Sequence, residues 1–179
     1  LMHAGLMLRV VFRLEEGFQR AGGEEVDSDS GREAHAVDVR LFTLAEANAL
    51  LPELKIQLAR LQALVRELEH RLEALHLKKK EYRKRKHAGS GGRPESGTED
   101  PFFLDESRIE FLRMEAELII GNFKRNGVLL KSVFPGLLDF PSVVDGKQVL
   151  ICWKEGEERA TCYHGWHDGY QGRRPHPDA

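Results

Sequence analysis

"LPELKIQLARLQALVRELEHRLEALHL", residues 51–77, carries the pattern from which the fold follows. Apolar residues stand at Leu51, Leu54, Leu58, Leu61, Val65, Leu68, Leu72 and Leu75. Their spacing alternates three and four without a miss, which is a heptad seam along one helix face. Continued through the basic stretch to Lys86, such a helix is roughly 50 Å long at 1.5 Å per residue. It cannot bury its seam alone, so the pattern demands a partner helix.

Upstream, "LFTLAEANALLPEL" (41–54) opens the ordered chain. Thr43 and Glu46 fit a capping box, and Phe42 stands where an apolar residue can staple onto the first turn. Pro52 lacks an amide hydrogen and disfavours helical backbone at Leu51. The expectation is a short helix from 44 to about 50, a kink, and a second helix from Pro52. Downstream, "HAGSGGRPESGTEDP" (87–101) reads as a flexible loop. Beyond it, Ile109, Leu112, Ala116, Ile119 and Phe123 repeat the three-four spacing, and Asn126-Gly127 is a helix stop. The simplest arrangement is an antiparallel helical hairpin with a coiled-coil seam. An intermolecular coiled coil is its rival.

After Gly127 the period changes. "VLLKSVF" reads as a strand, and "PGLLDFPSVVDGK" as turn-rich and apolar. "KQVLICW" and "RATCYHGW" flank "KEGEE", where Gly156-Glu157 suits a two-residue hairpin turn. That register pairs Trp153 with Ala160, Ile151 with Cys162 and Val149 with His164. One face then holds Val149, Ile151, Trp153, Ala160, Cys162 and His164, and is the core side. Cys152 falls on the other face with Leu150, Lys154, Arg159, Thr161 and Tyr163, so the two cysteines form no disulfide.

The 179 residues suffice for one ordinary domain with extra segments. A net charge of -2 attracts neither nucleic acid nor an anionic membrane over the whole surface. Two cysteines exclude a disulfide-built domain and favour a reducing cytoplasm. No apolar run approaches the roughly 18 residues of a membrane span. Arg9 and Arg13 break the apolar opening, and no cleavage site follows, which argues against a signal peptide. Residues 1–40 form an extension, rich in Gly, Ser, Asp and Glu from 21 on, that composition predicts to be disordered. The chain opens on Leu, and a working start near Val37 is one expectation. The intact mass of the native protein tests it.

Several stretches resemble a bacterial family catalogued as domain of unknown function 2203: "FTLAEANALLPEL", "GLLDFPS", "DGKQVLICWKEGE" and the C-terminal His-Gly-Tyr-Gly-Arg-Pro pattern. The resemblance covers about 41–175. It implies a small cytoplasmic bacterial protein with a helical part and a β part, and no established activity. The family pattern matches Tyr163-His164, then Gly169, Tyr170, Gly172, Arg173 and Pro175; Trp166-His167 sits in its variable stretch.

Three constellations are candidates for chemistry. Cys162, His164 and His167 offer the thiolate and imidazole ligands that zinc takes, although their spacing is not a usual zinc pattern. A plainer reading makes Cys162 a small buried apolar group and His164 a hydrogen-bonded core residue. Gly169, Tyr170, Gly172 and Arg173 suit a tight loop approaching a small polar or anionic ligand, with His164, Trp153 and Tyr163 as walls. The plainer reading has Arg173 pairing with Asp168 or Asp139 and pinning the tail. The third is the basic run Lys78, Lys79, Lys80, Arg83, Lys84, Arg85 and Lys86, which can meet phosphates or an acidic surface. As a helix C-terminus it is equally explained by the dipole and solvation. No nucleophile elbow, phosphate-binding glycine loop or paired carboxylates occur.

The sequence therefore predicts an α+β protein: an extension (1–40), a helical hairpin (41–126, loop 87–101), a β-rich unit (127–175) and a tail (176–179). Its function reads first as a non-catalytic interaction module, self-associating or docking a helical partner through the Leu51–Leu75 seam. A metal-binding protein or enzyme centred on His164 and Arg173 is the alternative, and binding through 78–86 a further one.

Overall fold

The computed structural model describes residues 40–88 and 100–179. The expectations for the N-terminal extension and for most of the 87–101 loop lie outside them. Two helices, α1 (Leu44–Ala88) and α2 (Phe103–Arg125), precede five strands: β1 (Leu129–Val133), β2 (Gly136–Val144), β3 (Lys147–Lys154), β4 (Cys162–Gly165) and β5 (Arg174–Pro175). The α+β architecture expected from the sequence is the one observed.

The capping box forms. The Thr43 amide donates to Glu46 Oε2 at 2.8 Å, and the Glu46 amide donates to Thr43 Oγ1 at 3.2 Å. Phe42 does more than staple the turn: it is buried and meets the Phe140 ring edge-on at 5.4 Å. Sequence reasoning ends a first helix near residue 50; α1 instead continues through Pro52. The reason is tertiary. Leu44, Ala47, Leu51 and Leu54 are buried on both sides of the proline. Asn48 Nδ2 donates to the carbonyls of Leu44 and Ala160, both at 3.0 Å, and its Oδ1 accepts from the Ala160 amide at 2.8 Å. These bonds hold the turn whose ladder the proline interrupts.

Two compact units result, and they cut across the helices: 40–54 with 123–179, and 55–122. In the second, α1 and α2 run antiparallel. Arg60 pairs with Glu115, Lys78 with Asp105 at 2.7 Å, and Lys79 with Glu106 at 2.5 Å. Leu58, Leu61, Val65, Leu68 and Leu75 are buried, as are Ile109, Leu112, Ala116 and Ile119; Leu72 is half-buried. The seam is thus covered within the chain, as a hairpin requires. Asp100 caps α2, its Oδ1 accepting from the Phe102 amide at 2.9 Å.

The other unit holds the sheet. Helix α2 stops as the Asn-Gly signal predicts: Gly127 has φ 77°, its amide donates to Lys124 O, and that of Val128 to Phe123 O. This is the Schellman arrangement. The strands follow in the order β1-β2-β3-β4-β5, each antiparallel to the next. The stretch read as turn-rich is mostly strand β2. Pro141 is accommodated because its carbonyl accepts from the Phe42 amide at 2.7 Å, on the side away from β3. A residue's N–H and C=O point to the same side of a strand, so the missing donor falls on that edge. Ser142 Oγ donates to Phe42 O at 2.6 Å in its place. Asp145 and Gly146, φ 51° and 74°, make the tight turn into β3.

The β3–β4 register differs from the expected one by a single residue. Cys152 pairs with Cys162, Ile151 with Tyr163, Leu150 with His164 and Val149 with Gly165. A one-residue slip moves a whole strand's side chains to the opposite face. The cause is the connection. The tight turn closes from the Glu157 amide to Lys154 O, with Gly156 at φ 99°, and alone would pair Cys152 with Arg159; the residues that follow it carry the chain on to the observed pairing. Residues 157–161 then form an irregular connection rather than strand.

Candidate functional site

The register decides which side chains share a face. Asp139 lies directly across from Cys152, and Cys152 from Cys162. His164, two residues beyond Cys162, sits diagonally from Cys152 on that face. Trp153 and Tyr163 project from the opposite face, so they do not wall a pocket with His164. The cysteines, expected on opposite faces, share one, and both are free thiols.

Asp139, Cys152 and His164 are buried, and one potential ligand atom from each lies within 4.8 Å of the other two. His164 Nδ1 donates to Gly165 O at 2.8 Å, which directs Nε2 toward Asp139 Oδ2, 3.5 Å away. The imidazole pKa is pushed up to about 10. Asp139 is the main cause, with help from Cys152 and the Gly165 carbonyl, against the opposing effect of burial. The ring is therefore an imidazolium at neutral pH, paired with a buried acid. Of the three metal-ligand candidates in the C-terminal stretch, His164 belongs to this group. Cys162 is half-buried and His167 exposed, and neither lies in it.

Arg173 takes neither aspartate as partner. Its Nη1 and Nη2 donate to Glu157 at 2.7 and 3.0 Å. Burial opposes its charge, but the Glu157 bonds and the Glu157 charge outweigh it and raise its pKa on balance. Burial likewise works against the Glu157 carboxylate. The bonds from Arg173 and from the Lys154 amide outweigh it and hold that carboxyl below the usual range. Tyr170 lies under both cations, 4.7 Å from Arg173 and 5.0 Å from Lys154. The loop glycines serve Asp168: a Cβ at Gly165 or Gly172 would come within 2.5 Å of its side chain. Asp168 Oδ2 accepts from the Gly165 amide at 3.1 Å, and Gly169 turns the chain at φ 62°. The carboxylates this loop grips are thus the chain's own. His176, in the predicted tail, is buried against Tyr163, and its amide donates to Thr161 O.

Sequence reasoning missed Asp139, Cys152 and Glu157. An acid inside "GLLDFP" was the available signal, since a buried charge needs a partner. Cys152 and Glu157 carried none, because their roles depend on register. In the basic run, Lys78 and Lys79 pair with α2 acids and Arg85 approaches Glu81 at 3.6 Å; Lys80, Arg83, Lys84 and Lys86 are exposed. Helix α2 carries a second apolar row: Leu104, Phe111, Met114 and Leu118 are between 51% and 80% exposed. No helix among the described residues is long and apolar enough to cross a membrane.

These features define an α+β class: a helical hairpin joined to an antiparallel meander whose one face buries an Asp–Cys–His group. The chain belongs to the family described as uncharacterized conserved protein (DUF2203), whose model matches residues 40–176. Comparison with curated proteins and with solved structures found no match.

Proposed function

We propose that the protein is a non-catalytic interaction module of the bacterial cytoplasm in which the outer face of α2 joins two copies through a coiled-coil contact. The exposed row on α2 carries this reading. Leu104, Phe111 and Leu118 stand seven residues apart, with Met114 between them. Leu104 and Leu118 are symmetric about Phe111, so these three positions read the same in both directions. An antiparallel second copy brings Phe111 against its equivalent and Leu104 against the partner subunit's Leu118, the self-complementary contact that two-fold symmetry needs. An exposed apolar row of this kind is a usual mark of an association site. The Leu51–Leu75 seam is less suited to that role, because the hairpin already buries it. Ligand capture by Arg173 has less support because Glu157 occupies the guanidinium. Nucleic-acid binding has less support because Lys78 and Lys79 are paired.

Light scattering over a range of protein concentrations tests the proposal. A dimer is expected, and Phe111→Glu combined with Leu118→Glu is expected to give a folded monomer. A wild-type chain that stays monomeric at every concentration overturns it, as does a double variant that remains dimeric.

A further inference from the structure

We infer that Asp139, Cys152 and His164 form a binding site for a transition-metal dication of the zinc class. The inference rests on the sheet alone and is independent of the α2 contact. Thiolate, imidazole and carboxylate together are a donor set suited to zinc, and less so to magnesium or calcium. A tetrahedral ion with bonds of about 2.0–2.3 Å separates its ligand atoms by roughly 3.3–3.7 Å. His164 Nε2 and Asp139 Oδ2 stand 3.5 Å apart, inside that range. A charge-assisted hydrogen bond would draw them to about 2.7–2.9 Å. The Nδ1–H bond to Gly165 O already fixes the ring as an outer-shell partner does in zinc sites, leaving Nε2 as the ligand atom. Three adjacent strands supply one residue each, so the backbone ladder sets the spacing.

As ligands, a carboxylate, a thiolate and a neutral imidazole bring two negative charges to the dication, so the loaded site is neutral and buries no uncompensated charge. Arg173, the nearby cation, is held by Glu157. The three-ligand set leaves a fourth position open.

The test uses the full chain, stripped with a chelator and titrated with cobalt(II) as a spectroscopic stand-in for zinc. The expected result is a single cobalt per chain with a thiolate-to-cobalt charge-transfer band. Cys152→Ser should remove the band and weaken binding at least tenfold, about the scale seen for lost ligand support. Cys162→Ser and His167→Gln should leave both unchanged. Absence of stoichiometric binding by the wild-type chain overturns the site, whatever the variants do. Binding without the band, a band that survives Cys152→Ser, or a band lost in Cys162→Ser overturns it equally. Circular dichroism of each metal-free variant confirms that the comparison is between folded chains.

Discussion

Glu157 shows how much a single side chain decides here. Its carboxylate accepts two bonds from Arg173 and one from the Lys154 amide, while its carbonyl accepts from the Trp153 indole at 2.9 Å. Those bonds anchor the start of the β3–β4 connection, and the register beyond it puts His164 beside Asp139 and Cys152. Its folded pKa lies below the unfolded value of 4.5. Its contribution to stability is therefore complete above that value and is lost as pH falls through the folded pKa. Urea midpoints should drop from about pH 5 downward, and Glu157→Gln should flatten that part of the profile. Parallel profiles for the two proteins would refute the assignment. His164 itself was legible as the family-matched histidine of the C-terminal stretch, but its partners were not. Asp139 is 25 residues away in sequence and meets it only through an intervening strand.

At the scale of elements, local rules succeeded where the chain is governed by local bonds. The Thr43–Glu46 box and the Gly127 stop need only neighbouring residues, and both stand where the spacing puts them. They failed at Pro52 and Pro141, where a distant segment compensates for the missing amide. Asn48 and Ala160 hold the turn before Pro52; Phe42 and Ser142 satisfy the edge beside Pro141. Pro52 is exposed, so its replacement disturbs little packing. Pro52→Ala should restore a helical hydrogen bond and raise unfolding free energy by about 1–3 kcal/mol. Equal or lower stability in denaturant titration would show that the surrounding structure favours the proline.

For the molecule as a whole, the two apolar rows of the hairpin make opposite demands. Leu58 is buried in the seam, and Leu58→Ala should cost about 2–5 kcal/mol in chemical unfolding. Phe111 is half-exposed on the outer row, and Phe111→Glu should change the monomer's stability by no more than about 0.5 kcal/mol. Comparable losses from the two substitutions would mean that Phe111 belongs to the fold rather than to an interface. By itself the sequence determined two helices with apolar seams, their cap and stop, and a β unit at the C-terminus. Those features arise from a repeat or a capping signal contained within a few turns of chain. Only the tertiary structure decided that the seam closes within the chain, the register of β4, the path through the two prolines, and the union of Asp139, Cys152 and His164. The physical reason is that strand pairing has a period of two, so one residue more or less in a connection decides which face every later side chain occupies.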